Sequence, residues 1–290
     1  MDWFSLSLIC AFALASSDAA AKHWLRSADA LEMLVVRLGL SGLLLSPWVM
    51  TFELPALPAP FWGWITFLLP LELLAMTMYL VAIRDYPLAL TVPYLAFTPV
   101  LVVVTGWVVL GESVSGPGLV GIVLVVAGSW VLNFEQPGRL SVAALIAPLR
   151  AIVRNPGSRL MLGSAIIYAF TSVGGKAAMQ WVPPQQFGAL YFSLLGGVTL
   201  FLVTLFRPRA LRVARFGVLP LLLVSGCMAV MVVTHFMALG MIEAAYMIAT
   251  KRTSLLFGVL YGAMLFGERH LGRHLLAGAL MVSGVAAIAL

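Results

Sequence analysis

The chain has 290 residues, 62% of them apolar and only 10% charged, with a mean hydropathy of +1.06; a soluble domain carries roughly 25% charged residues, so water is excluded as the solvent for most of this surface. The net charge of +6 and pI near 9.7 do not imply nucleic acid, because the cations gather at the ends of apolar spans instead of forming one basic face. Cys10 and Cys227 stand singly inside apolar runs, which argues against a disulfide framework or a metal site and makes both packing residues.

Crossing roughly 30 Å of hydrocarbon takes about 20 apolar residues, and the sequence holds such a stretch ten times. The predicted spans are 3–21, 31–50, 61–83, 87–110, 116–134, 159–177, 186–206, 216–239, 241–266 and 272–290. No strand-like alternation competes with them, and a helix satisfies its own backbone in lipid. The fold class is therefore an all-α membrane protein. Span 1 has the look of a signal peptide, but Asp2 stands where such a leader has a cation, and the span has a partner in span 6. Laying Lys22 on Lys176 puts Ala11 on Ala165, Ala15 on Ala169 and Gly42 on Gly196. The chain reads as two five-helix units, 1–136 and 157–290, joined by a linker over 137–156 whose stretch Ser141 to Val153 suits an amphipathic position on the membrane surface.

The end of span 4 is written again at the end of span 9. Leu110, Gly111 and Glu112 follow Gly106 and lead to Gly116, Leu119 and Gly128; Phe266, Gly267 and Glu268 follow Gly262 and lead to Gly272, Leu275 and Gly284, 156 residues later. An odd number of spans separates the copies, so the units must lie in opposite orientations, the inverted-repeat plan of a secondary transporter. Charge agrees. Twelve of the 17 Lys and Arg lie outside or at the ends of spans, from Arg26 and Arg84 to Arg269 and Arg273, all in loops that follow odd-numbered spans. The positive-inside rule then puts both termini outside the cytosol. The segment Arg207 to Arg215 holds four arginines, whereas its counterpart Thr51 to Pro60 holds only Glu53, as opposite orientations require.

With these motifs the chain resembles the drug/metabolite transporter superfamily, in the ten-helix form with two EamA domains. The likeness rests on Gly111–Glu112 and Gly267–Glu268, the glycine-spaced last helix of each half, Arg37 in span 2, and Lys22 and Lys176 closing spans 1 and 6. It implies a multi-pass protein of the cell (inner) membrane that moves a small organic solute such as a metabolite, amino acid or drug-like compound. The expected partners are the bilayer, the solute and protons. No cofactor, metal or nucleic acid is called for, and the glycine stripes Gly116, Gly118, Gly121, Gly278 and Gly284 suit close packing within a monomer or across a homodimer.

Function should reside in ionisable groups that the bilayer penalises by roughly 2.5–3.5 kcal/mol each. Glu72 lies roughly 16 Å below one face and Lys251 roughly 15 Å below the same face, counted from the predicted span ends at 1.5 Å per residue. They read either as a substrate-binding or proton-coupling pair, or as a buried ion pair that locks span 3 against span 9. Arg252 adds an adjacent cation, so a positive wedge awaits an anionic or zwitterionic solute. Arg37 is a further cavity cation or a snorkelling residue. Lys22 and Lys176 read as interfacial anchors ahead of cavity-mouth ligands, and Asp18 as the i, i+4 ion partner of Lys22.

Pro93 and Pro99 each remove a helical hydrogen bond, so span 4 should be broken there, with freed groups around Tyr94 to Thr98 facing protein or a wet cavity. In span 9 the matching stretch is Thr250 to Ser254. Thr98 and Ser254 coincide in the two repeats and either donate to a substrate or bond back to their own helix. Tyr168 offers a hydroxyl midway along span 6. Tyr191, Tyr246 and Trp107 read as belt or packing residues, His235 as interfacial, and Glu112 and Glu268 as helix caps or partners of loop cations. No GxSxG, HExxH, paired Cys–His set or phosphate-cradling loop occurs, so the expectation is no enzyme. Proton-coupled or exchange-driven export by alternating access is the expected mechanism. An uptake permease is the alternative within transport; a membrane-embedded enzyme or lipid-scrambling protein is the alternative from another class.

Overall fold

In the computed structural model, residues 1–53, 56–86, 91–132, 155–266 and 271–289 are described, and all of their regular structure is helical. The predicted linker 137–156, with its amphipathic stretch, lies outside the described residues apart from Asn155 and Pro156; so do Gly267, Glu268 and the start of span 4 at residues 87–90.

The helices are α1 Trp3–Trp24, α2 Ala30–Val49, α3 Ala59–Asp85, α4 Thr98–Leu110, α5 Gly116–Leu132, α6 Pro156–Ala178, α7 Pro184–Phe206, α8 Val218–Leu239, α9 Ala244–Lys251, α10 Ser254–Phe266 and α11 Leu271–Ala289. Six of them, α1, α2, α3, α6, α7 and α8, are long and apolar enough to cross a membrane; α4 with the turn before it, α5 and the last part of α11 are shorter apolar helices.

Their ends follow local chemistry. Asp2 caps α1 by accepting the Ser5 N–H at 2.7 Å, a bond that holds its pKa below the usual carboxylate value. Asp29 and Glu32 form a capping box at α2. Asn155 caps α6, whose first residue is Pro156, and Pro184 opens α7. Gly111 ends α4 in the left-handed region at φ 68°, where a Cβ would be strained.

Neighbours are exchanged by the repeat. Helix α1 packs on α8 and α3 on α6, while α1 meets α9 and α10 as α6 meets α4. The remaining two pairs, α2 with α7 and α5 with α11, each join equivalent elements of the two halves. At the first of these, a Cβ on Gly196 would stand 2.8 Å from the Gly42 Cα and 2.8 Å from the Leu38 carbonyl oxygen. At the second, a Cβ on Gly121 would meet the Gly284 oxygen at 2.6 Å, and one on Gly284 the Gly121 oxygen at 2.6 Å. These glycines let backbones touch inside one molecule. Phe67, Val104, Trp107, Phe201 and Phe206 are left exposed around the outside, where lipid is the natural solvent.

One end of the bundle is closed by rings. Phe61 at the start of α3 meets Trp181 and Phe187 edge-on, and Phe187 packs on Tyr191 and Phe236. This end carries the N-terminus. The opposite end carries Arg26, Arg84, Arg159 and the turn Pro208–Phe216, and there Arg215 bridges to Glu32 at 2.8 Å.

Candidate functional site

Span 9 is divided in two. Helix α9 stops at Lys251, Arg252 and Thr253 form a turn, and α10 begins at Ser254. The turn is held by Thr253 N–H to Thr250 O at 3.0 Å and by the Thr253 hydroxyl to the same oxygen at 2.8 Å, bonds shorter in sequence than the helical ones they replace. Across the bundle, Val92–Phe97 forms a 3-10 segment that passes into α4 at Thr98, with Pro93 in its first turn and Pro99 in the first turn of α4. Each proline therefore stands in the first turn of a helical segment, where its fixed φ is tolerated. Arg37 sits in a third irregularity, the π-helical turn Val35–Leu40 of α2; such turns are frequent at functional sites.

These irregularities surround a cavity of about 190 Å³, room for about six waters or one small solute. Glu72 lines it, 13 residues from each end of the 27-residue α3. So do Lys251 and Arg252 at the turn, Arg37 and Asp18, the Tyr168 ring, and Thr98 with Ser254. Thr171, whose hydroxyl donates to the Tyr168 carbonyl at 3.5 Å, lines the same cavity. Among the described residues Glu72 makes no ion pair with Lys251 or Arg252. The pairing that does form is Arg37 with Asp18 at 2.6 Å, tying α2 to α1; Asp18 pairs across the interface and not along its own helix with Lys22. Its side chain keeps 43% of its accessible surface, and Arg37 keeps 5%.

Other sequence readings are displaced. Tyr94 is buried away from the cavity, against Ala82, Met161 and the Trp130 ring. Thr98 donates back to the Leu95 oxygen at 2.8 Å, and Tyr168 donates to the Met76 sulfur at 3.5 Å. Lys176, near the end of α6, is held by protein partners. Its ammonium bridges to Glu112 at 2.5 Å and donates to the Ile242 carbonyl at 2.5 Å, while Glu112 also accepts the Ala244 N–H at 2.9 Å. Glu112 thus caps α9 from the other half of the chain, on the ring-closed end. Tyr246, read as a belt or packing residue, is 7% exposed and accepts the Ser115 N–H at 2.8 Å. His235 is 8% exposed and lines the cavity beside Tyr191 and Phe236.

Two lining residues, read from sequence as a belt or packing residue and an interfacial one, carry unsatisfied polar atoms. Among the described residues, the Tyr191 hydroxyl and His235 Nδ1 are buried without a hydrogen-bond partner, as is Arg252 Nε. The repeat itself held a signal for the first: the offset that lays Lys22 on Lys176 also lays Arg37 on Tyr191 and Asp18 on Ser172, and all four line the cavity.

Comparison with known proteins agrees with this architecture. No curated protein matches the chain. One solved crystal structure superposes with a TM-score of 0.72 over 98% of this chain and 95% of the other at 18% identity, a likeness of fold alone. The EamA-like transporter family matches residues 1–134 and 155–290, one copy on each half. A two-repeat, all-helical bundle matched along nearly its full length in this way belongs to the EamA-like transporter family.

Proposed function

We propose that the chain exports a small organic solute across the cell (inner) membrane by alternating access, coupled to protons or to exchange. It crosses the bilayer ten times as two inverted five-helix units, 1–136 and 157–290, joined by a 137–156 linker, with the termini on the non-cytoplasmic side. The orientation rests on the positive-inside rule; a tag at Asp2 is expected to be reachable from outside, and a tag within Arg207–Arg215 is not. It works without a cofactor, as a monomer or homodimer, and catalyses no covalent chemistry.

The observation that carries this reading is a cavity in which mid-helix Glu72 faces Lys251 and Arg252 across a helix break. Broken helices around a mid-membrane site are the common device for placing polar backbone and charge against a solute. Rings and the Glu112–Lys176 bridge gather at the termini end of the bundle.

In proteoliposomes, wild type should accumulate substrate under a pH gradient. Glu72→Gln should retain counterflow but lose gradient-driven accumulation, because an amide occupies the position without carrying a proton. Lys251→Met should lose both. Accumulation undiminished in Glu72→Gln would exclude Glu72 as the coupling group.

A further inference from the structure

Resting on the transport reading, we infer that the substrate is an organic anion with one net negative charge and an apolar body, its oxyanion held by Lys251, Arg252, Tyr191 and His235. Five ionisable carboxylate and cationic side chains line the cavity. Asp18 and Arg37 neutralise each other at 2.6 Å. Glu72, Lys251 and Arg252 remain, with no ion pair among the described residues, and together they leave one unmatched positive charge. All three are part-buried around the cavity, and charge with so little access to water is disfavoured unless paired. A zwitterion adds no net charge and a cation worsens the excess; a monoanion cancels it.

Orphaned polar atoms point the same way. Tyr191 is 3% exposed and His235 8%, and the Tyr191 hydroxyl, His235 Nδ1 and Arg252 Nε all lack partners among the described residues. Buried polar groups of a native protein are nearly always hydrogen-bonded, so these wait for a ligand. A phenol and a guanidinium N–H donate, as an oxyanion requires. Beside them, Met228, Met231, Val232 and Phe236 offer an apolar wall, and thioethers adapt to varied shapes.

The test uses four solutes with one phenylpropyl skeleton: hydrocinnamate as the anion, phenylalanine as the zwitterion, phenylpropanol as the neutral form and phenylpropylamine as the cation. The full chain is followed by thermal unfolding in detergent for binding and by counterflow in proteoliposomes for transport. Hydrocinnamate should protect at a concentration at least about tenfold below the other three. Tyr191→Phe, which keeps the ring stacked on Phe187, should weaken protection about tenfold or more, the usual worth of a hydrogen bond to a charged group; Lys251→Met should abolish it. Protection by hydrocinnamate without its counterflow upholds the anion-binding site and rejects hydrocinnamate as a transported solute. Counterflow of another member in preference to hydrocinnamate rejects the inference and upholds transport. Protection by none, or unchanged affinity in Tyr191→Phe, overturns the inference.

Discussion

Single residues decide how closely the two halves approach. Gly196 and Gly42 meet backbone to backbone, whereas Gly197, the next residue along, has no atom within 4 Å of where a Cβ would stand. Gly196→Ala must push α2 from α7, because the obstacles are the Gly42 Cα and the Leu38 oxygen and neither is a side chain that can turn aside. The expected loss is about 1–3 kcal/mol, the usual range for overpacking, seen as a lower unfolding midpoint in detergent. Gly197→Ala should leave stability unchanged or raise it by up to about 1 kcal/mol, since alanine favours the helix. Equal midpoints for the two variants would remove the glycine contact from the account. The pairing of these glycines was legible in the sequence as an alignment. Their touching was not, because register along a sequence does not say which helix faces which. The same limit hid His235: it lies four residues from the end of α8, a position that reads as interfacial until α7 and α9 are packed around it.

At the scale of elements, prolines predicted the interruption of span 4, and the structure supplies its form. The prolines do not kink one helix; they begin two segments, a 3-10 turn and then α4. The break in span 9 has no proline, and only its alignment with span 4 marked the place. Runs of 3-10 geometry within a helix often mark hinges. In Pro99→Ala the new N–H can bond to a carbonyl in the preceding turn, and Thr98 is freed from the restriction that a following proline imposes, so Val92–Phe97 can join α4 as one α-helix. Folded protein should change little, by within about 1 kcal/mol. Counterflow should fall about tenfold, equivalent to about 1.4 kcal/mol in the barrier. Loss of folded protein with normal flux per molecule would assign Pro99 to folding instead. The Asp18–Arg37 bridge was out of reach for sequence reasoning at this scale. Spacing favoured Lys22 one turn away, while the π turn at Val35–Leu40 aims Arg37 at α1.

For the whole molecule, the two halves share neighbours by exchange yet end differently. The ring cluster and the Glu112–Lys176 bridge close the termini end, and Asp18, on the half of α1 nearer the basic end, is the more exposed member of its pair. A transporter must reverse that state, and inverted repeats supply the means: each half can adopt the arrangement the other now holds. The decisive measurement is thiol accessibility at Ser172, a small cavity-lining residue, changed to cysteine after Cys10 and Cys227 are replaced by alanine. A membrane-impermeant thiol reagent is applied to intact cells and, separately, to inverted vesicles, with Arg212→Cys marking the face that the proposed orientation puts in the cytosol. The account predicts that Ser172→Cys is labelled from both faces, with transported solute shifting the balance between them, while Arg212→Cys is labelled in vesicles alone. Labelling of Ser172→Cys from a single face, whatever solute is present, would contradict alternating access through this cavity.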